Sequence, residues 1–165
     1  MRVYLVDVRD PDFCRPLPAD RRSSAATTNR IQVMAFPPLG IQTLAPVLRQ
    51  HGHEVRLFDT CHPQMTVEHI ARAAATERPN AIGLSFLSAT TYPTTKAVAL
   101  RLKQSVPEIP IIIGGAFASM NAAHILRDCP SIDCVGVGEG EELLPDYLDH
   151  LGDPGVVAGL VWRHG

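Results

Sequence analysis

Short continuous apolar runs alternate along this chain with stretches whose apolar residues recur at helical spacing. The runs are RVYLVDV (residues 2–8), EVRLFD (54–59), AIGLSFL (81–87), IIIG (111–114), CVGV (134–137) and GLVWR (159–163). Runs of this length, bounded by Gly and Pro, predict buried strands. Between them lie candidate helices over Gly40–Gln50, Val67–Glu77, Thr91–Ser105, Ser119–Arg127 and Gly140–His150. Thr66 is placed to cap the second and Pro79 to end it, while Thr90 or Thr91 can cap the third, with Pro93 near its start. Pro46 is awkward inside the first helix unless it falls in an early turn. Residues 9–36 fit no period: three prolines and then RRSSAATTNR predict a long irregular segment, of the kind that is functional or disordered. The alternation β-α-β-α-β-α-β-α-β-α-β predicts a three-layer α/β sandwich of the flavodoxin-like Rossmann type. Its parallel sheet has the order 2-1-3-4-5, with an extra C-terminal edge strand.

Composition narrows the function classes. The 165 residues fit one domain, 45% of them are hydrophobic and 19% charged, and the net charge is −2. No basic excess favours nucleic acid or an anionic membrane, and no apolar run approaches the length of a transmembrane helix. The start, MRVYLVDV, reads as a strand rather than a leader, which predicts a cytoplasmic protein. Cys14, Cys61, Cys129 and Cys134 lack metal-site spacing, and four free thiols are expected.

Candidate chemistry gathers where ligands bind such sheets, outside the carboxyl ends of the strands. Ser85-Phe86-Leu87 ends one strand, and after twenty-six residues Gly114-Gly115 ends the next. A hydroxyl beside two positions without side chains makes a slot. Ser88, Thr90 and Thr91 add hydroxyls to the same rim, and Gly138-Glu139-Gly140 supplies a third glycine-rich turn. Helix starts after Gly40, Thr91, Ser119 and Gly140 present unpaired N–H groups that suit phosphate or amide oxygens. The nucleotide fingerprints GxxxxGK[ST] and an early GxGxxG are absent. Taken singly, each hydroxyl reads as a helix cap and the glycine pair as a sharp turn.

The spacing SxL, about twenty-six residues, GG resembles that of cobalamin-binding domains of the methionine synthase and mutase type. That resemblance implies that Ser85, Leu87, Gly114 and Gly115 hold the dimethylbenzimidazole nucleotide tail. The same family carries DxHxxG, whose His ligates cobalt. Aligning its glycine with Gly40 places Ala35 at the Asp and Pro37 at the His, so the ligand is missing. His51 and His53 belong to the opposite edge of the sheet.

A second family has this pattern. Pro37-Pro38-Leu39-Gly40, Leu48 to Val55, Asp59, Ile112-Ile113-Gly114-Gly115 with Ala118, Asp133 with Val135, Gly138-Glu139-Gly140-Glu141 and Gly159-Leu160-Val161 together resemble the amino-terminal domain of cobalamin-dependent radical SAM enzymes. Class B methyltransferases and the anaerobic magnesium-protoporphyrin monomethyl ester oxidative cyclase are examples. The resemblance implies base-off, His-off cobalamin, with Pro37, Leu39, Gly40, Ser85, Leu87, Ser88, Thr90, Thr91, Gly114, Gly115, Ala116, Gly138, Glu139 and Gly140 around it and no protein metal ligand. It also implies a C-terminal radical SAM domain as partner, holding a 4Fe–4S cluster and S-adenosylmethionine. The CxxxCxxC that such a cluster needs is absent here. Residues 1–165 are therefore expected to be a cobalamin-binding domain with a long loop over 9–39, binding the cofactor without turning over substrate. A stand-alone cobalamin carrier or sensor, and a flavodoxin-like module that binds no cobalamin, remain the alternatives.

Overall fold

The structure, a computed structural model, describes residues 1–9, 14–16, 30–32, 37–62 and 64–163. The strands are β1 (Arg2–Asp7), β2 (Cys14–Pro16), β3 (Arg30–Gln32), β4 (Glu54–Asp59), β5 (Ala81–Ser85), β6 (Ile111–Gly114), β7 (Cys134–Gly136) and β8 (Leu160–Trp162). The helices are α1 (Leu39–Gln50), α2 (Val67–Glu77), α3 (Tyr92–Ser105), α4 (Ala116–Asp128) and α5 (Gly140–Asp149).

Six strands form one sheet in the order β4-β1-β5-β6-β7-β8. Counting only those strands, the order is 2-1-3-4-5 followed by the sixth. The first five are parallel, and β8 returns antiparallel to β7. Strand alternation sends successive side chains to opposite faces. Tyr4, Val6, Ile82, Leu84, Ile111, Ile113 and Val135 pack with α2, α3 and α4. Val3, Leu5, Ala81, Ile112 and Cys134 pack with α1 and α5. The sheet is thus buried on both faces, which is why its strands read as continuous apolar runs. No described helix is long and apolar enough to cross a membrane.

Several boundaries differ from those the sequence predicts, each for a local reason. The predicted irregular segment 9–36 contains an antiparallel ribbon, β2 with β3, pairing Cys14 with Gln32. Three-residue strands are too short to leave a period. β5 stops at Ser85, because at Phe86 the chain turns away toward the loop before α3. The helix expected to begin at Ser119 begins at Ala116, directly after Gly115, with a kink at Asn121 (φ −125°, ψ 20°). Thr66 caps α2 as predicted, its Oγ1 accepting the His69 N–H at 3.2 Å. Neither Thr90 nor Thr91 caps α3 through its side chain. Their hydroxyls instead bond Ser88 Oγ, at 2.8 and 3.2 Å. Pro46 lies well inside α1. Its missing N–H would have served the Gln42 carbonyl, and both residues are exposed, so water can take that acceptor. Cys129 and Cys134 are free and buried. Burial pushes the Cys134 thiol up to about 12, consistent with a packing role.

Candidate functional site

Carboxyl ends of β1, β5 and β6 lie in register, Asp7 beside Ser85 and Ser85 beside Gly114. All three point to the face covered by α1 and α5, as do Gly83 and Gly136 further along that face. Gly114 lies level with Ser85, whereas Gly83 lies two residues back, level with Ile112. A Cβ on Gly83 would be 2.9 Å from Leu5 Cδ2 and one on Gly136 3.2 Å from Leu143 Cδ2, so of these three positions it is Gly114 that opens onto free space.

How close the helices come is also set by glycine. A Cβ at Gly140 would sit 3.0 Å from Leu44 Cδ2, so α5 approaches α1 only because residue 140 has none. A Cβ at Gly40 would sit 3.4 Å from Ser85 Oγ, which places the start of α1 directly over the serine. The space left is a cleft of about 250 Å³. Its wall is apolar, from Leu5, Ile41, Leu44, Ile112, Leu143 and Leu144. Ser85 is the hydroxyl on its floor, and Thr43, Glu139 and Glu141 supply the remaining polar side chains.

The paired glycines at the end of β6 have different surroundings. A Cβ on Gly114 would meet nothing within 4 Å, so that position opens onto free space. Gly115 has φ 112° and ψ 169°, and a Cβ there would lie 2.6 Å from the Phe86 carbonyl oxygen. Gly114 provides room; Gly115 provides the turn into α4.

Helix starts around the cleft are bare. α1, α3, α4 and α5 have no side-chain capping hydrogen bond, whereas α2, which follows the edge strand β4, is capped by Thr66. Leu39 and Tyr92 N–H already donate to the Pro37 and Ala89 carbonyls, while other first-turn N–H groups face the same end of the sheet and can donate to an anionic or amide ligand. Glu141 and Glu142 in the first turn of α5 suit the positive end of its dipole. Beside the cleft, Arg9 bridges Asp7 and Asp59. Burial pushes the Asp7 carboxyl up, Arg9 opposes this and the Asp59 charge adds to it.

Of the residues expected at the site, Gly40, Ser85, Gly114, Gly115, Gly138, Glu139 and Gly140 line the cleft. Pro37, Leu39, Leu87, Ser88, Thr90, Thr91 and Ala116 lie at the same end of the sheet without lining it. Leu39 and Leu87 are exposed, at 63% and 75%. Thr91 is buried beneath its loop, where its carbonyl accepts Thr95 Oγ1. The structure adds Thr43, Leu44, Glu141, Leu143 and Leu144, from the faces of α1 and α5, and Gly83 and Gly136 from the sheet. A glycine inside a strand marks a close approach or an opening, a signal the sequence carries at Gly83.

No histidine lines the cleft among the described residues. Pro37, at the position of the missing ligand, is exposed just before α1, and Ala35 is outside the described residues. His53 sits at the opposite edge with its Nδ1 3.4 Å from the N-terminal amine, and burial and that amine lower its pKa. His51 is exposed beside it. Among the described residues no cluster of His, Cys, Asp or Glu could hold a metal ion.

Comparison with known proteins agrees with this geometry. The profile described as the B12 binding domain matches residues 33–148. An uncharacterized methyltransferase of Pyrococcus horikoshii is 27% identical over 76% of this chain and 27% of its own length. The anaerobic magnesium-protoporphyrin IX monomethyl ester cyclase of Synechocystis is 28% identical over 84% of this chain and 28% of its own length. The hopanoid C-3 methylase of Methylococcus capsulatus is 34% identical over 72% of this chain and 23% of its own length. The chain thus spans about a quarter of these relatives. Its fold matches the cobalamin-dependent S-adenosylmethionine radical enzyme OxsB with aqua-cobalamin bound, with a TM-score of 0.74 at 20% identity, over 99% of this chain and 21% of that one. The chain belongs to the B12-binding domain family.

Proposed function

We propose that this B12-binding domain takes cobalamin base-off and His-off, with the nucleotide tail in the cleft between the sheet and α1/α5. The observation that carries the reading is the open position Gly114 level with Ser85, in a cleft whose side-chain wall is apolar. The fit is selective. A cleft of about 250 Å³ lies just below the usual range for small-molecule sites, roughly 300–1,000 Å³. It suits a flat heteroaromatic base with its sugar and not a tetrapyrrole-sized macrocycle. The macrocycle would then lie across the rim, where Leu39, Leu87 and Val137 are exposed apolar side chains.

Individual residues have separate tasks in this reading. Gly114 gives the tail room, Gly40, Gly83 and Gly136 let Ser85, Leu5 and Leu143 pack close around it, and Ser85 Oγ meets a nitrogen of its base. Gly115, Gly138 and Gly140 let the backbone approach, and the free N–H groups of the first turns receive phosphate or amide oxygens. Glu139, Ser88 and Thr90 are hydroxyl and carboxylate partners for the amide side chains at the rim. Pro37 and Ala116 pack against the ring, and Thr91 holds its loop. Pro37 offers no lone-pair nitrogen, so no protein group takes the cobalt's lower side. When bound, cobalamin supplies a cobalt centre that carries a methyl group or exchanges electrons.

Two features extend the reading to the whole protein. The curated relatives are named methyltransferase, methylase and cyclase, and the match to each spans about a quarter of it. The domain would accordingly serve a radical SAM catalytic domain that holds a 4Fe–4S cluster and S-adenosylmethionine, in methyl transfer or oxidative cyclisation.

Mixing the purified domain with hydroxocobalamin and desalting tests the binding claim. One cobalamin retained per chain, with a visible spectrum shifted to the base-off form, is expected. Complete loss of the cofactor on desalting would contradict it.

A further inference from the structure

Resting on that reading of the cleft, we propose that it selects the chemistry of the lower base, accepting benzimidazole-type cobamides and rejecting those with a purine. The larger side chains of the wall are apolar, from Leu5 and Ile112 on the sheet to Ile41 and Leu44 on α1 and Leu143 and Leu144 on α5. On the floor the one polar side chain is Ser85. Of the other polar side chains, Glu141 is in the first turn of α5, Glu139 precedes that helix, and Thr43 is an exposed residue of the second turn of α1.

That inventory matches one kind of base and not the other. A benzimidazole freed from cobalt has one unsatisfied ring nitrogen, which a single serine hydroxyl can serve. Its other nitrogen carries the ribose, and the rest of the base is carbon. Adenine brings further ring nitrogens and an exocyclic amine. Those groups would enter a wall of Leu and Ile with no donor or acceptor to meet them. A buried polar group left unpaired costs about 1–3 kcal/mol, a factor of roughly five to a hundred and fifty in affinity.

The backbone of β5 is committed to its ladders, Ser85 pairing with Asp7 on one side and Gly114 on the other. A Cβ on Gly83 would be 2.9 Å from Leu5 Cδ2, and one on Gly136 3.2 Å from Leu143 Cδ2, so leucine side chains lie against these glycines.

The test compares cobalamin with the adenine-bearing cobamide, and adds cobinamide, which lacks the nucleotide. All are reduced to the four-coordinate Co(I) state, so that no lower base is on cobalt and the slot alone is read. Expected is an affinity for the adenine cobamide about tenfold or more below that for cobalamin. Equal affinities for the two, with cobinamide clearly weaker, would overturn the selectivity while leaving the tail site intact. Cobinamide binding as tightly as cobalamin would instead remove the tail site itself. Leu44→Gln places an amide in the wall at a half-buried helix position. It is expected to narrow the ratio between the two cobamides at least about threefold. An unchanged ratio in a folded Leu44→Gln domain would remove the apolar wall as the cause of the selectivity.

Discussion

Gly114→Trp leaves the domain folded and weakens its hold on cobalamin. The position has no atom within 4 Å of a new Cβ and no left-handed φ, so a side chain enters the cleft without backbone strain. Tryptophan is compatible with the end of a strand, and the ladder partners of β6 are unaffected. Its indole occupies the volume assigned to the nucleotide base. Forcing both groups into one slot costs about 1–3 kcal/mol, which predicts cobalamin binding weaker by roughly tenfold to a hundredfold. Equilibrium dialysis of wild type and variant reads the loss directly, and circular dichroism confirms the fold. Wild-type affinity in a folded variant would mean that the tail lies elsewhere.

Gly115→Ala, one residue on, fails in the opposite way: it damages the fold. The backbone at φ 112° and ψ 169° belongs to a region that essentially only glycine occupies. The added methyl would also lie 2.6 Å from the Phe86 carbonyl oxygen, a backbone atom that cannot rotate away. Relief requires moving the start of α4 or the turn after β5. Phe86 stacks near Tyr92 and Phe117, so that turn is held by an aromatic cluster. A cost of about 3 kcal/mol follows, lowering the thermal midpoint by roughly 6–12 °C. A midpoint within experimental error of wild type would show that residue 115 needs neither the dihedral nor the clearance. Neighbouring glycines with one sequence signature thus separate into a binding position and a folding position.

The strands were the most legible part of the chain. β1, β4 and β6 are apolar runs with sharp Gly, Pro or charged borders, and sheet order follows from the alternation with helices. Ser85 and Gly114 were legible through the spacing of a known tail site. The other wall of the cleft was not. Leu44, Leu143 and Leu144 look like any apolar residues on an amphipathic helix, and only the approach of α5 to α1 makes them a ligand surface. Thr43 and Glu141 are equally ordinary until the helix starts are placed over the sheet. The rim hydroxyls Ser88, Thr90 and Thr91 erred the other way as predicted caps: sequence shows three hydroxyls, and the fold bonds them to one another. Gly136 falls within the predicted strand 134–137 and ends β7 facing Leu143, a neighbour that the strand pattern does not reveal.

Electron paramagnetic resonance of the bound cofactor tests the central claim most directly. Cobalamin loaded onto the domain and reduced to Co(II) carries an unpaired electron that senses any nitrogen on the cobalt axis. A slot that holds the base away from the metal, under a chain with Pro37 in place of a histidine, predicts cobalt hyperfine lines without nitrogen splitting. Nitrogen splitting in the retained cofactor, whether from its own base or from a protein histidine identified by ¹⁵N labelling, would contradict it.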